Sequence, residues 1–147
     1  MTSALATVLS AIVFAIAALH AHWGFGGHWP AANAERLAKT AVGTPNIDKM
    51  PSASSCFVVA AILTGVASWP LFAAGLLTEA WPRWLTLLAG AGIATVFVGR
   101  GLAGYTAAWR RRFSQEPFAR LDRLVYSPLC LVLGAGYIVI LMSGSTP

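Results

Sequence analysis

The chain has 147 residues, of which 57% are apolar and only 10% charged, with a mean hydropathy of +0.69. Soluble domains carry about 25% charged residues to keep their surface wet, so this composition argues against a water-soluble fold and for lipid as the solvent. The net charge of +5 does not indicate a nucleic-acid binder, because the basic residues lie beside apolar segments and no recognition motif accompanies them; the partners expected are membrane lipids, with no nucleic acid.

A bilayer core about 30 Å thick is crossed by roughly 20 apolar residues in helix. Four such windows follow one another, at about 4–23, 55–77, 84–105 and 124–143. They are continuous, rich in Ala and Leu, and show no period-two alternation, which favours helices over strands. The predicted fold is all-α, a single domain over 1–147. It is an integral membrane bundle of four transmembrane helices with short interfacial helices in the first and third loops.

The first window opens without Lys or Arg, which argues against a cleaved signal peptide despite the small residues Ala18 and Ala21 near its end. It closes on His20, His22 and Trp23, followed by the glycine-rich turn 24–27 and His28. Helical residues two apart point about 200° away from each other, so His20 and His22 cannot share one ion while the helix lasts, and no metal is expected. The three histidines either bond to backbone and headgroups or serve in proton transfer or substrate binding. The first loop, about thirty residues, is too long for a passive connector. Asn33 can cap a helix over 34–39 that ends near Gly43, with Pro45 and Pro51 keeping the rest of the loop extended.

The second and fourth windows contain Pro70 and Pro128, which predict kinks, with Ser68 and Ser127 placed to take up freed carbonyls. Cys56 and Cys130 are distant and flanked by apolar residues, so they read as small core residues rather than as a disulfide. The third window holds Arg100. Inside a span an arginine is costly unless its guanidinium reaches water, a carboxylate or a phosphate. It either snorkels to the headgroups or faces the bundle and binds an anionic group. Around it the sequence spells G-x-G-x-x-G, but within an apolar helix this is no dinucleotide fingerprint, and no cofactor is expected. Gly90, Gly92, Gly99, Gly101 and Gly104 read instead as small residues that let helices approach.

In the third loop Ser114, Glu116 and Pro117 form a helix start that leads through Phe118 and Leu121 into the fourth window. At its mouth stand Arg120, Asp122, Arg123 and Tyr126, with Asp122 and Tyr126 four apart on one face. Asp122 is either a surface ion-pair partner or the partner of Arg100 or a histidine across the bundle.

Arg36, Lys39 and Lys49 lie in the first loop and Arg110, Arg111, Arg112, Arg120 and Arg123 in the third, against Arg83 alone on the other side. The positive-inside rule therefore puts these loops in the cytoplasm and both termini outside. Trp23, Trp29 and Trp109 mark the inner interface, Trp81 and Trp84 the outer. The candidate ligand-binding residues His20, His22, His28, Arg100, Tyr105, Arg120, Asp122 and Tyr126 then share one depth, as a polar pocket at the cytoplasmic mouth, roofed by the first loop. The outer halves of the spans carry almost no ionisable residue, which weighs against an ion path, and no internal repeat supports an inverted-repeat transporter.

The strings Leu19-His20-Ala21-His22-Trp23, Gly26-Gly27-His28-Trp29-Pro30, Phe118-Ala119-Arg120-Leu121-Asp122 and Tyr126-Ser127-Pro128-Leu129-Cys130-Leu131 resemble the bacterial membrane family catalogued as domain of unknown function 3995. The resemblance covers the whole chain and implies a small four-span membrane protein, with no biochemical activity attached. Three functional readings suit a bacterial inner-membrane protein of this kind. The leading one is a protein that binds an amphiphilic or anionic small molecule, or a lipid, in the pocket. The second is an enzyme acting on a lipid or isoprenoid with a histidine as acid or base and Arg100 on the polar head. The third is a small transporter, which four spans would build only as an oligomer. A homo-oligomer or another membrane partner stays open, and no catalytic residue is assigned.

Overall fold

The computed structural model describes residues 2–78 and 82–143, so Trp81, expected at the outer interface, lies outside the described residues. All regular elements among them are helices: α1 (Thr2–Gly24), α2 (Ala34–Ala41), α3 (Ala53–Ala73), α4 (Arg83–Ala103), α5 (Ala107–Arg112), α6 (Phe118–Leu121) and α7 (Ser127–Ser143). A π turn over Asp122–Tyr126 fuses α6 to α7. Four stretches, Thr2–Gly24, Ala53–Ala73, Arg83–Ala103 and Phe118–Ser143, are long and apolar enough to cross a membrane, and the chain is a multi-pass membrane protein. Their outer faces carry residues such as Val96, 70% exposed, which hydrocarbon solvates at no cost and water would not.

Two window boundaries differ from expectation. The second span stops at Ala73 because Gly75 adopts φ +69. The N–H groups of Gly75 and Leu76 return to the carbonyls of Phe72 and Leu71, at 2.9 and 2.8 Å, which closes the helix end in a Schellman motif. The apolar Leu76 and Leu77 continue the hydropathy signal past that stop. The fourth span begins at Phe118 rather than near 124, since Ala119 and Leu121 already donate to the carbonyls of Gln115 and Pro117. In the loops, α2 forms where the cap predicts it. Asn33 Oδ1 accepts from the N–H of Arg36 at 2.9 Å, and Gly43 at φ +76 follows its end.

α1 pairs with α3 and α4 with α7, and the pairs meet mainly where α1 touches α7 and α3 touches α4 and α7. Between them lies a core that includes Leu9, Val13, Trp69, Leu133, Tyr137 and Ile140. Trp69 and Tyr137 stack at 5.5 Å, and the Trp69 indole donates to the Thr86 carbonyl at 2.8 Å, fastening α3 to α4. Pro70 has no N–H for the carbonyl of Val66, and the Tyr137 hydroxyl fills that place at 2.7 Å. Ser68 does not do so, contrary to expectation. A helical hydroxyl reaches the carbonyl four residues back, which for Ser68 is Thr64, at 2.9 Å. Pro128 follows directly on the π turn, where the Ser127 N–H reaches back to the Asp122 carbonyl; the wider turn makes room for the proline ring against the preceding carbonyls.

The glycines of α4 divide by face. A Cβ on Gly90 would stand 2.0 Å from the Trp69 ring, and on Gly101 2.6 Å from Leu131, so these do permit close approach. Gly92 and Gly99 face open space and correct the expectation that all five serve packing, because that side of α4 turns away from the bundle. Gly134 and Gly136 contribute from α7 instead, against Val98 and Leu9. Cys56 and Cys130 are both free.

Candidate binding site

The end of the bundle that carries the first and third loops holds the buried charges. Asp122, set by the π turn, is only 3% exposed. Its Oδ1 accepts from Nη2 of Arg100 and its Oδ2 from the indole N–H of Trp109 at 3.0 Å. Arg100 also donates to Ser127 Oγ at 3.4 Å, and its guanidinium carbon sits 4.3 Å from the centre of the Trp109 ring. A carboxylate withdrawn from water needs a cation and further donors, and this one has both. The local sequence makes the arrangement possible. A Cβ on Gly104 would lie 1.8 Å from Ser127 Oγ and 3.0 Å from Asp122 Oδ2, so glycine there lets α4 close on α7. Thr106 caps α5, accepting from the N–H of Trp109 at 3.3 Å, and so turns the indole back over Arg100.

Beside this cluster is a cavity of about 470 Å³ bounded by α1, α2, the end of α4, α6 and the π turn. Its apolar walls include Ile16, Leu19, Leu37, Phe118, Val125 and Leu129, and its polar residues are His20, Trp23, Thr40, Arg100 and Tyr126. The first loop roofs it. The Tyr126 hydroxyl donates to the Thr40 carbonyl at 3.2 Å, Gln115 N–H to the Gly43 carbonyl at 3.1 Å, and the Phe118 ring lies so close to Gly43 that a Cβ there would be 2.1 Å from it. His20 Nδ1 is 2.8 Å from the Ile16 carbonyl. A carbonyl only accepts, so Nδ1 carries the hydrogen, and in the neutral ring Nε2 holds the lone pair.

Of the residues expected at one depth, His20, Arg100 and Tyr126 meet on the cavity, and Asp122 holds Arg100 from behind. Tyr105 reaches the edge of the cluster, its hydroxyl donating to the Arg123 carbonyl at 3.2 Å. His22, His28 and Arg120 are exposed and stand outside the cavity; His22 lies in a separate shallow recess with Ala15, Ala18 and Trp29, on the far side of α1 from His20 as helical geometry requires. Trp109, Ser127 and Thr40 were not among the expected site residues. Residue type marks Trp109 for the headgroup level but names no partner; here its half-buried indole N–H donates to Asp122. Among the described residues no three His, Cys, Asp or Glu side chains converge as a metal site would need.

Over residues 13–137 the chain matches the family described as "Protein of unknown function (DUF3995)". No curated protein and no solved structure matches it.

Proposed function

The chain belongs to the DUF3995 family, a family of unknown function, and from that premise we propose that it binds a lipid-like amphiphile in the cavity under its first loop. The observation that carries this is the cavity itself: about 470 Å³, walled by aliphatic and aromatic side chains, with a few polar atoms from α1, α2, α4 and the π turn. Small-molecule sites have this size and this mix of surfaces. The excess of arginine and lysine on the same loops supports a cytoplasm-facing cavity in a bacterial inner membrane.

Binding is favoured over passage by what lies beyond the cavity. Further along α1 and α7, Leu9, Val13, Leu133 and Tyr137 fill the space between helices, and a solute path would need polar lining there. An enzyme reading draws on His20 alone. Asp122, which could have oriented it, is engaged with Arg100 and Trp109, and oriented acid-base pairs are the usual requirement.

Photolabelling tests the proposal. Protein in lipid nanodiscs is illuminated with a long-chain alkyl alcohol bearing a diazirine, and labelled peptides are mapped by mass spectrometry. Labelling is expected on cavity residues of α1, α2 and the π turn, and Ala41→Trp, which fills the cavity, should abolish it while leaving label on lipid-facing positions such as Val96. Label confined to the lipid-facing surface, and unchanged by Ala41→Trp, refutes the site.

A further inference from the structure

Given that an amphiphile occupies this cavity, the polar atoms on its wall restrict the chemistry of the head group. Most donors there are already committed. The Trp23 indole N–H goes to the Trp29 carbonyl at 2.8 Å, the Thr40 hydroxyl to the Arg36 carbonyl at 2.7 Å, the Tyr126 hydroxyl to the Thr40 carbonyl at 3.2 Å, and His20 Nδ1–H to the Ile16 carbonyl at 2.8 Å. What remains on residues that line the space is one free donor set, the Arg100 N–H groups not directed at Asp122 or Ser127, and three acceptors: His20 Nε2 and the hydroxyl oxygens of Thr40 and Tyr126, of which the imidazole nitrogen is the most basic.

Arg100 looks like a receptor for an anion, yet its charge is already matched. Asp122 touches it directly and is 3% exposed, so a ligand entering the cavity meets a pair with no net charge. An anionic head would give up its water there for no surplus of positive charge, which is unfavourable in a low-dielectric site. An uncharged hydroxyl meets no such penalty. It can donate to His20 Nε2, the most basic free acceptor on the wall, and accept from an Arg100 N–H. We infer that the cavity selects an amphiphile whose uncharged head carries a hydroxyl group, with His20 as its acceptor and Arg100 as its donor. Of the two ligand classes expected from the sequence, amphiphilic and anionic, this takes the uncharged amphiphile.

Three diazirine probes of equal chain length separate the possibilities: the alcohol, its methyl ether, which accepts but cannot donate, and the corresponding sulfonate, which is permanently anionic. In the unaltered protein the alcohol should label the cavity peptides about threefold to tenfold more than the ether, the ratio expected for one net hydrogen bond, with the sulfonate weakest. His20→Phe should bring the alcohol down to the level of the ether and leave the ether unchanged, in protein whose melting in detergent confirms a folded state. Sulfonate labelling equal to or above that of the alcohol overturns the neutral-head inference while leaving the binding reading intact. Equal labelling by alcohol and ether, or alcohol labelling indifferent to His20→Phe, removes the role given to His20. Failure of all three probes to prefer the cavity over lipid-facing residues sinks the amphiphile reading itself, and this inference with it. The comparison among probes in the unaltered protein decides the head-group chemistry by itself, and His20→Leu, with the same expected loss of the alcohol's preference over the ether, tests the acceptor if His20→Phe fails to fold.

Discussion

Replacing Asp122 with asparagine keeps the shape of the side chain and removes its charge, which leaves the Arg100 guanidinium without a counter-ion inside the bundle. Removing one partner of a buried ion pair costs about 3–5 kcal/mol, most of it the penalty of the stranded charge. Arg100 keeps 28% side-chain exposure and the Trp109 ring at 4.3 Å, so it can relieve part of that penalty by tilting toward the headgroups. The low end, about 3 kcal/mol, is therefore expected for Asp122→Asn. Arg100→Met strands the carboxylate instead and should cost a similar amount. The double substitution removes both charges and leaves only the neutral Asn amide to be satisfied at a site 3% exposed, so it should cost about 1–3 kcal/mol, well below the sum of the single costs. Equilibrium unfolding in mixed micelles, followed by tryptophan fluorescence, measures all four proteins. A coupling energy above about 2 kcal/mol is predicted. Single costs below about 1 kcal/mol that add in the double variant would show an ordinary surface pair and refute the reasoning.

Trp109→Phe keeps a ring under Arg100 but leaves Asp122 Oδ2 without its indole donor, so unfolding should show a loss of about 1–2 kcal/mol, and that loss should shrink in the Asp122→Asn background. Gly104→Ala drives a methyl group into Ser127 and Asp122 and should destabilise by about 1–3 kcal/mol, whereas Gly99→Ala, facing open space, should be neutral or stabilising in the same titration; equal effects would contradict the helix register. Tyr137→Phe leaves the Val66 carbonyl unpaired beside Pro70 and should cost about 1–3 kcal/mol. With Pro70→Ala also present, residue 70 regains the N–H that Val66 lacks, and the cost of Tyr137→Phe should fall; an undiminished cost would place the role of Tyr137 in packing alone.

The spans were legible because lipid demands long uninterrupted apolar runs, and α2 was legible because Asn33 and Gly43 mark its two ends locally. What the sequence left open was partner choice. Arg100 faced either headgroups or an anion, and the choice of Asp122 depends on the register of α4 against α7, which Gly101 and Gly104 set by contacts that no local pattern reports. Depth grouped His22, His28 and Arg120 with the site, but a shared level does not give a shared face. His22 shares its turn of α1 with His20 and points the other way. For Trp109 residue type gives a membrane level and no partner; the capped turn at Thr106 is what brings its indole onto Arg100 and Asp122. The same kind of gap explains Pro70, whose missing donor is replaced from α7 rather than from its own helix.

A structure determined in lipid nanodiscs is the most direct measurement of whether the cavity is a binding site. It should reveal elongated density between Leu37, Phe118 and Leu129 with its polar end in hydrogen-bond reach of His20 Nε2 and Arg100. A space collapsed onto its own side chains, or holding water alone, would contradict the proposed function.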